Sequence, residues 1–495
     1  MIFSPYVRPA LASLIGACAL IFSACSSPDP QPEAPRPRNV ILIVTDTLRA
    51  DRLGSYGYSR STSPNIDALA ERGTQFTRNH SQGSWTVPSM ISLMSGLYVT
   101  QEETSLPTDQ PTLGEALDSG GIQTVAFIGN PVVSGDRGFH RGFEEDFYTA
   151  SAGTEASGPR HLPSGSALQL VASFESWYTQ NEADLATGKG FVAWIHPMDP
   201  HLPYRPKVAN PFPLGSSRMD TDLITPRWQE GEIEIENLLQ GREHRSYLSS
   251  TQMMNYRSNQ YDGEVFAVDE AVGNLLAFLE QEAVLDETLI IFAADHGEML
   301  WEQKLYDFAL ALEMQEEKPL EIGVYDYFGN GHRGWFYEQI WNTPLILMGP
   351  GIEAGVVSND LSTNLDIYPT ILDALDLPTP NKLHGTSLMD NKAPVRERVF
   401  GFGNNVTAVF ESSGQKLIEA YTMRPSLGEE KVPEILFFDL EVDPTESTNM
   451  ASGRAADVER LRAELESWRM HYDREVDMTT SEESEEVLGA LGYLD

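Results

Sequence analysis

The chain has 495 residues, of which 73 are acidic and 34 basic, giving a formal charge of −39 at pH 7, and 41% of it is hydrophobic. That apolar content supports a large core and excludes a disordered polyanion, while the acidic balance excludes a protein that grips nucleic-acid backbone through clustered Lys and Arg. The two cysteines, Cys18 and Cys25, both precede the body, which excludes a disulfide-stapled scaffold, a Cys-ligated zinc site in the body and a cysteine nucleophile.

Taken in chain order, the first element is an apolar stretch from Pro9 to Ala24, preceded by Arg8 and short for a membrane span. Cys25, Ser26 and Ser27 follow, and then a proline-rich run ending at Arg38. The order predicts a signal segment over 1–24 and a stiff, extended tether over 25–38. It resembles a bacterial lipoprotein signal, which implies acylation of Cys25 and an exported protein anchored by lipid in the cell envelope. Simple cleavage of an ordinary signal is the alternative.

From Asn39 the text changes. NVILIVTDT is an apolar, β-branched run ending in polar residues, as expected of a parallel strand buried on both faces. Similar runs recur at 124–129, 191–196, 288–297 and 343–351. Between them lie helical patterns, among them 63–73 and 258–281, while 150–190 and 207–250 read as surface insertions. This alternation predicts an α/β body over 39–375 with a large, mostly parallel central sheet flanked by helices. After about 375 it fades into short strands and an amphipathic helix over 454–468, a small α+β subdomain covering 376–495.

In parallel sheets, ligands sit beyond the carboxyl ends of the strands. Three predicted strands end in ligand-like residues: Asp46, the group from His196 to His201, and Asp295 with His296. Carboxylate oxygens and an imidazole nitrogen suit Mn²⁺, Zn²⁺, Mg²⁺ or Ca²⁺. A helix is predicted to begin near Pro88, and a hydroxyl just ahead of its amino terminus sits in positive potential, where a tetrahedral anion would be received.

The text from Asn39 to Gly96 resembles the amino-terminal signature of the sulfatase family, within the alkaline-phosphatase superfamily. WIHPMDPHLPY, YDGEVFAVDEAVGNLL, FAADHGE, GHRGWFYE, LDIYPTILDAL and FFDLEVDPTESTNM resemble its later blocks in order. The resemblance implies an alkaline-phosphatase-like fold and a metal-dependent hydrolase of sulfuric or phosphoric esters. The chain departs from it at one segment. Sulfatases of this family carry C-x-P-x-R or S-x-P-x-R, whose first residue becomes formylglycine; here the segment reads Thr86-Val87-Pro88-Ser89-Met90. Thr47 also stands where sulfatases have a second metal aspartate, and Asp295-His296 replaces a frequent Asp-Asn pair.

Carried over residue by residue, the resemblance makes Thr86 nucleophile and metal ligand, with Asp46, Asp295 and His296 completing the metal shell. It gives His201 and His332 acid–base work on the leaving group, and Asn130 and Arg333 contacts to the anion. One divalent cation is expected, with a second conceivable through Asp199, His201 and His332, and no formylglycine. The implied partner is an anionic ester, on a glycan or a lipid head group. A phospholipid head-group transferase and a catalytically silent glycan-binding surface protein are the alternatives. Asp262, Glu264 and Asp366 read as structural.

Overall fold

The computed structural model describes residues 35–99, 104–143, 147–150, 160–162, 165–202, 204, 206, 208–212, 250–300, 330–332, 335–389, 394–403, 406–421 and 433–472. The signal segment, Cys25, most of the tether, Arg333 and most of the 207–250 insertion lie outside them.

Among the described residues, nine strands form the main sheet: β1 (Asn39–Thr45), β2 (Thr74–His80), β3 (Gln123–Ile128), β4 (Phe147–Ala150), β5 (Arg160–Leu162), β6 (Phe191–His196), β7 (Thr288–Ala294), and, beyond the short hairpin of β8 (Met299–Leu300) and β9 (Asn330–Gly331), β10 (Leu345–Met348) and β11 (Val356–Thr363). Their spatial order is β11-β2-β10-β7-β1-β6-β3-β4-β5. β1 lies at the centre, parallel to β6 and β7 on either side, and every residue of it is buried. Alternate side chains enter opposite cores: Ile41 and Ile43 on one face, Val40, Leu42 and Val44 on the other. The fold class follows the reading of the sequence, with one correction. The run over 343–351 is not parallel: β10 is antiparallel to both β7 and β2.

One face of the sheet is covered by α1 (Pro64–Glu71), α4 (Ala167–Thr187) and α5 (Ser250–Gln281), the other by α2 (Thr86–Ser95), α3 (Leu113–Ser119) and α7 (Ile367–Ala374); the short α6 (Glu338–Trp341) precedes β10. α4 corrects the reading of 150–190 as an insertion. Leu170, Val171, Phe174 and Trp177 on it are buried in the core against Phe191 and α5, so its amphipathic face is structural. The tether also ends earlier than its composition suggests, because Arg38 donates to the carbonyls of Leu185, Ala186 and Gly188.

A second, antiparallel sheet follows: β12 (Arg398–Gly403), β13 (Val406–Glu411), β14 (Gln415–Tyr421) and β15 (Pro433–Asp439). Its strands alternate in the period-2 manner. Ala408, Phe410, Leu436 and Phe438 face Phe336 and Trp341 of the body, while Val409, Leu417 and Phe437 face Leu461, Leu465 and Trp468 of α8 (Ala455–Tyr472). Both sheets belong to one compact unit from Arg36 to Asp495. Position 375 is therefore a change of sheet within that unit.

The join carries buried charge. Lys416, fully buried, forms ion pairs with Glu338 on α6 and with Glu446, and Glu446 also accepts the backbone N–H of Glu338 at 2.6 Å. Asp366 is structural as expected. It closes a capping box with Thr363 ahead of α7 and pairs with Arg396. Asp262, likewise structural, is fully buried and accepts from Arg52, Tyr58 and Arg60.

Candidate active site

Asp46 follows directly on β1 and Asp295 on β7, and the parallel pairing of those strands brings their carboxylates to one place. Asp295 Oδ1 accepts the N–H of Thr47 at 3.1 Å and of His296 at 2.8 Å, which turns Oδ2 inward. Thr47 makes that contact from a left-handed backbone, φ 56°, with its carbonyl tied to the Tyr261 hydroxyl at 2.6 Å. A non-glycine residue held there is strained, and such strain collects at functional sites. Gly297 is required next: a Cβ there would lie 1.9 Å from the carbonyl oxygen of Gln339.

Among the described residues, His196 and His296 approach these acids directly, with His332 and His201 beside them. His196 closes β6, and its Nδ1 lies 2.6 Å from the carbonyl oxygen of Val44. His296 Nδ1 lies 2.9 Å from the carbonyl oxygen of Gly297. A carbonyl only accepts, so Nδ1 carries the proton on both rings, and in the neutral ring Nε2 is a bare lone pair. His296 Nε2 stands 3.4 Å from Asp295 Oδ2 and 3.8 Å from Asp46 Oδ1; His196 Nε2 stands 3.9 Å from Asp46 Oδ2. His332 stacks beside His296 with ring centres 4.4 Å apart, and His201 lies 5.2 Å from His332.

Thr86 is the first residue of α2, not the residue ahead of it, and Pro88 is the third. Its Oγ1 is 3.4 Å from Asp46 Oδ2 and 3.3 Å from His296 Nε2. Asn130, beyond β3, has its amide oriented by the Val132 N–H, which donates to Oδ1 at 3.0 Å. Asn130 Nδ2 is thereby aimed at Asp46 Oδ2, 2.5 Å away, and at Thr86 Oγ1, 3.5 Å away. Met90 faces elsewhere, fully buried in the apolar core.

The electrostatics of the protein atoms alone are unbalanced. Both aspartates are fully buried, and among the described residues neither pairs with Lys or Arg. Burial and the charge of Asp46 push the Asp295 carboxyl well above the usual carboxylate range. Burial opposes ionisation of Asp46 too, but His201, His296, His196 and the Asn130 amide outweigh it and hold that carboxyl low. Burial also pushes His196 and His296 below the ordinary imidazole range. Among the described residues, Asp46 Oδ1, Asp295 Oδ2 and His196 Nε2 are all buried without a hydrogen-bond partner. One ligand atom from each of Asp46, His196 and Asp295 lies within 4.8 Å of the others. Buried carboxylates left in this way are costly unless a cation balances them, and ligand atoms about 2.0–2.2 Å from one shared cation stand roughly 3–4 Å apart. The donor set fits a divalent metal.

The sequence reading brought together Asp46, Thr86, Asn130, Asp295, His296, His201 and His332, and the fold does place them around one site. His196, one of the ligand-like residues expected at the strand ends, points its lone pair at Asp46. One residue is additional. Glu298, fully buried, takes the Nδ1 side of His332 at 3.3 Å, a role its place in FAADHGE did not reveal. Asp199 also makes a contact within the fold. Its Oδ2 accepts the Ala167 N–H at 2.7 Å at the start of α4, ahead of the cis peptide to Pro200.

An α/β sheet with buried acids and histidines at its carboxyl edge, facing a hydroxyl on a helix terminus, defines the class of sulfatase-family ester hydrolases. A sequence model of the sulfatase family matches residues 38–377, and the chain belongs to that family. It is 23% identical to an N-acetylglucosamine-6-O-sulfatase of Bacteroides thetaiotaomicron, over 88% of this chain and 86% of that one. A structure solved in complex with its substrate D-glucosamine-2-N,6-O-disulfate superposes with a TM-score of 0.61 at 20% identity, covering 89% of this chain and 98% of the other. The phosphonate monoester hydrolase of Agrobacterium radiobacter superposes with a TM-score of 0.60 at 20% identity, covering 88% and 96%. Both likenesses are to the fold.

Proposed function

We propose that the protein is a metal-dependent hydrolase of anionic esters that works through Thr86, with phosphoric esters favoured over sulfuric ones. The observation that carries this reading is Thr86 Oγ1 held between Asp46 Oδ2 and His296 Nε2, at 3.4 and 3.3 Å, with Asn130 Nδ2 beside it. Asp46, Asp295, His296 and Thr86 would hold the cation, which supplies positive charge for the ester oxygens and lowers the pKa of a bound hydroxyl.

The residues divide the rest of the work. Thr86 Oγ1, its proton lost to solvent, forms a bond to phosphorus as the bond to the leaving alcohol breaks. Asn130 Nδ2 donates to an oxygen on which charge develops, as oxyanion-hole donors do. His201 and His332, with ring centres 5.2 Å apart, would pass a proton to the departing alkoxide, and Glu298 fixes the Nδ1 side of His332. Water then attacks the phosphothreonine, restoring the hydroxyl and releasing phosphate or a phosphomonoester. Sulfate is disfavoured on chemical grounds. A sulfated formylglycine hydrate expels sulfate by collapsing to an aldehyde, and a sulfated threonine lacks that exit.

The names of the relatives support the ester class, since one is a sulfatase acting on N-acetylglucosamine sulfate and one a phosphonate monoester hydrolase. A sugar-borne or lipid-borne ester is the natural substrate under this reading, and acylation of Cys25 would hold the enzyme at the envelope membrane. Met90 in the core, where an arginine is expected, favours a second reading as a silent glycan-binding relative. Turnover of aryl sulfate, phosphate monoester, phosphodiester and phosphonate substrates, each with Mn²⁺, Zn²⁺ and Ca²⁺, separates the two. Efficient sulfate-ester turnover that survives Thr86→Ala would sink the threonine mechanism.

A further inference from the structure

His196 is not among the four residues proposed above to hold the cation, yet its ligand atom lies within 4.8 Å of those of Asp46 and Asp295. It is fully buried at the carboxyl end of β6, the strand beside β1. Its proton is committed to the Val44 carbonyl at 2.6 Å, so Nε2 faces the acids as a lone pair. Nε2 has no hydrogen-bond partner, and its 3.9 Å separation from Asp46 Oδ2 is too long for a hydrogen bond. It matches the spacing of two atoms that share a cation. At the other oxygen of the same carboxylate, His296 Nε2 stands 3.8 Å from Asp46 Oδ1. Asp46 is thus flanked by two imidazole lone pairs, each locked by a backbone carbonyl. Such outer contacts fix the tautomer of metal-binding histidines.

Opposite this gain of nitrogen is a loss of oxygen. Thr47 occupies the position after Asp46 where a further carboxylate would add a hard, charged donor, and its hydroxyl is buried without a partner. We infer that His196 is a ligand of the active-site cation, and that the site, with two imidazoles and two carboxylates beside the Thr86 hydroxyl, selects a borderline transition metal such as Zn²⁺ against Ca²⁺ and Mg²⁺. Imidazole suits zinc and its neighbours, whereas calcium and magnesium take oxygen ligands. Two neutral nitrogens also leave the set with two formal negative charges, enough to neutralise one divalent ion. The inference rests on the proposal that a cation binds here at all.

The test uses the full chain, stripped with a chelator and reloaded with Zn²⁺ alone. X-ray absorption at the zinc edge counts imidazole ligands, and competition with a chromophoric chelator gives Zn²⁺ and Ca²⁺ affinities. The wild type is expected to show two imidazoles, His196→Gln one, and His332→Gln two. His196→Gln should lose about tenfold or more in zinc affinity, with calcium affinity much less affected. A single imidazole in the wild type, or two retained in His196→Gln, overturns the assignment. So does an unchanged zinc-to-calcium ratio in that variant. If His196→Gln does not fold, a count that falls to one in His332→Gln overturns it equally. Zinc affinity that survives Asp46→Asn in full would instead remove the cation from this site, which is a failure of the underlying reading and distinguishable from the others.

Discussion

The Asn130 side-chain nitrogen stands 3.5 Å from the Thr86 hydroxyl oxygen while donating at 2.5 Å to Asp46. One amide therefore touches both the nucleophile of the proposed reaction and a ligand of its metal. An oxygen of the ester bound to Thr86 would be within its reach, and the Val132 N–H keeps the amide from turning.

Asn130→Ala should lower kcat by about 10²–10³, the cost of removing one oxyanion-hole donor. KM should change far less, because the donor matters most as charge develops. Steady-state kinetics on a phosphodiester check this. A fall confined to KM would make Asn130 a binding residue only.

Thr86→Ala should abolish turnover of every substrate to within a small residue from binding and charge alone. Thr86→Ser keeps the hydroxyl and should retain activity within about tenfold, since the nucleophilic atom is the same. Circular dichroism and bound-metal analysis on both variants exclude misfolding as the cause.

Glu298→Gln should act through His332, which it holds at 3.3 Å. If His332 protonates the departing oxygen, loss of its orientation should slow alkyl esters by about 10²-fold and nitrophenyl esters much less, because a good leaving group needs no proton. Equal slowing of both would make Glu298 merely structural.

The join between the sheets predicts a pH dependence of stability. Lys416 is shared by two carboxylates, the buried Glu446 and the partly buried Glu338, one more than its charge can satisfy. Burial raises Glu446 to about 7, only partly offset by Lys416, while Glu338, despite its own burial, is held low by Lys416 and His80. The folded state thus binds more protons at Glu446 than the unfolded chain, whose carboxyl ionises near 4.5. Stability from this group is present below that value and is lost as pH rises through about 7. Thermal melts from pH 5 to 8 should therefore show the wild type losing more stability than Glu446→Gln. A constant difference between the two would contradict the argument.

Much of this site was legible because strand ends are legible. NVILIVTDT and TLIIFAADHG read as buried parallel strands from their unbroken apolar runs, and the first polar residues after them were Asp46, Asp295 and His296. Strand β2, TQFTRNH, carries no such run; it lies between β10 and β11 and is only partly buried, so its pattern is too polar to announce it. The direction of β10 was hidden as well, since an apolar run is the same read either way. His196 and Asp199 sit three residues apart in one motif and do unrelated work. One faces the acids and the other caps α4, whose start is more than 30 residues earlier in the chain. Only the packing of α4 on the sheet separates them. The charge of −39 was read as an exclusion of nucleic acid; beside this site it also opposes the approach of an anionic ester, a repulsion that salt should relieve.

The claim at the centre of this account is a covalent bond to Thr86. Rapid acid quench of metal-loaded enzyme turning over a phosphodiester, followed by intact mass and peptide mapping, tests it directly. The account predicts a phosphoryl-type adduct on the peptide carrying Thr86 and none in Thr86→Ala. Wild-type turnover in which Thr86 stays unmodified at every quench time, with Thr86→Ala still active, would contradict it.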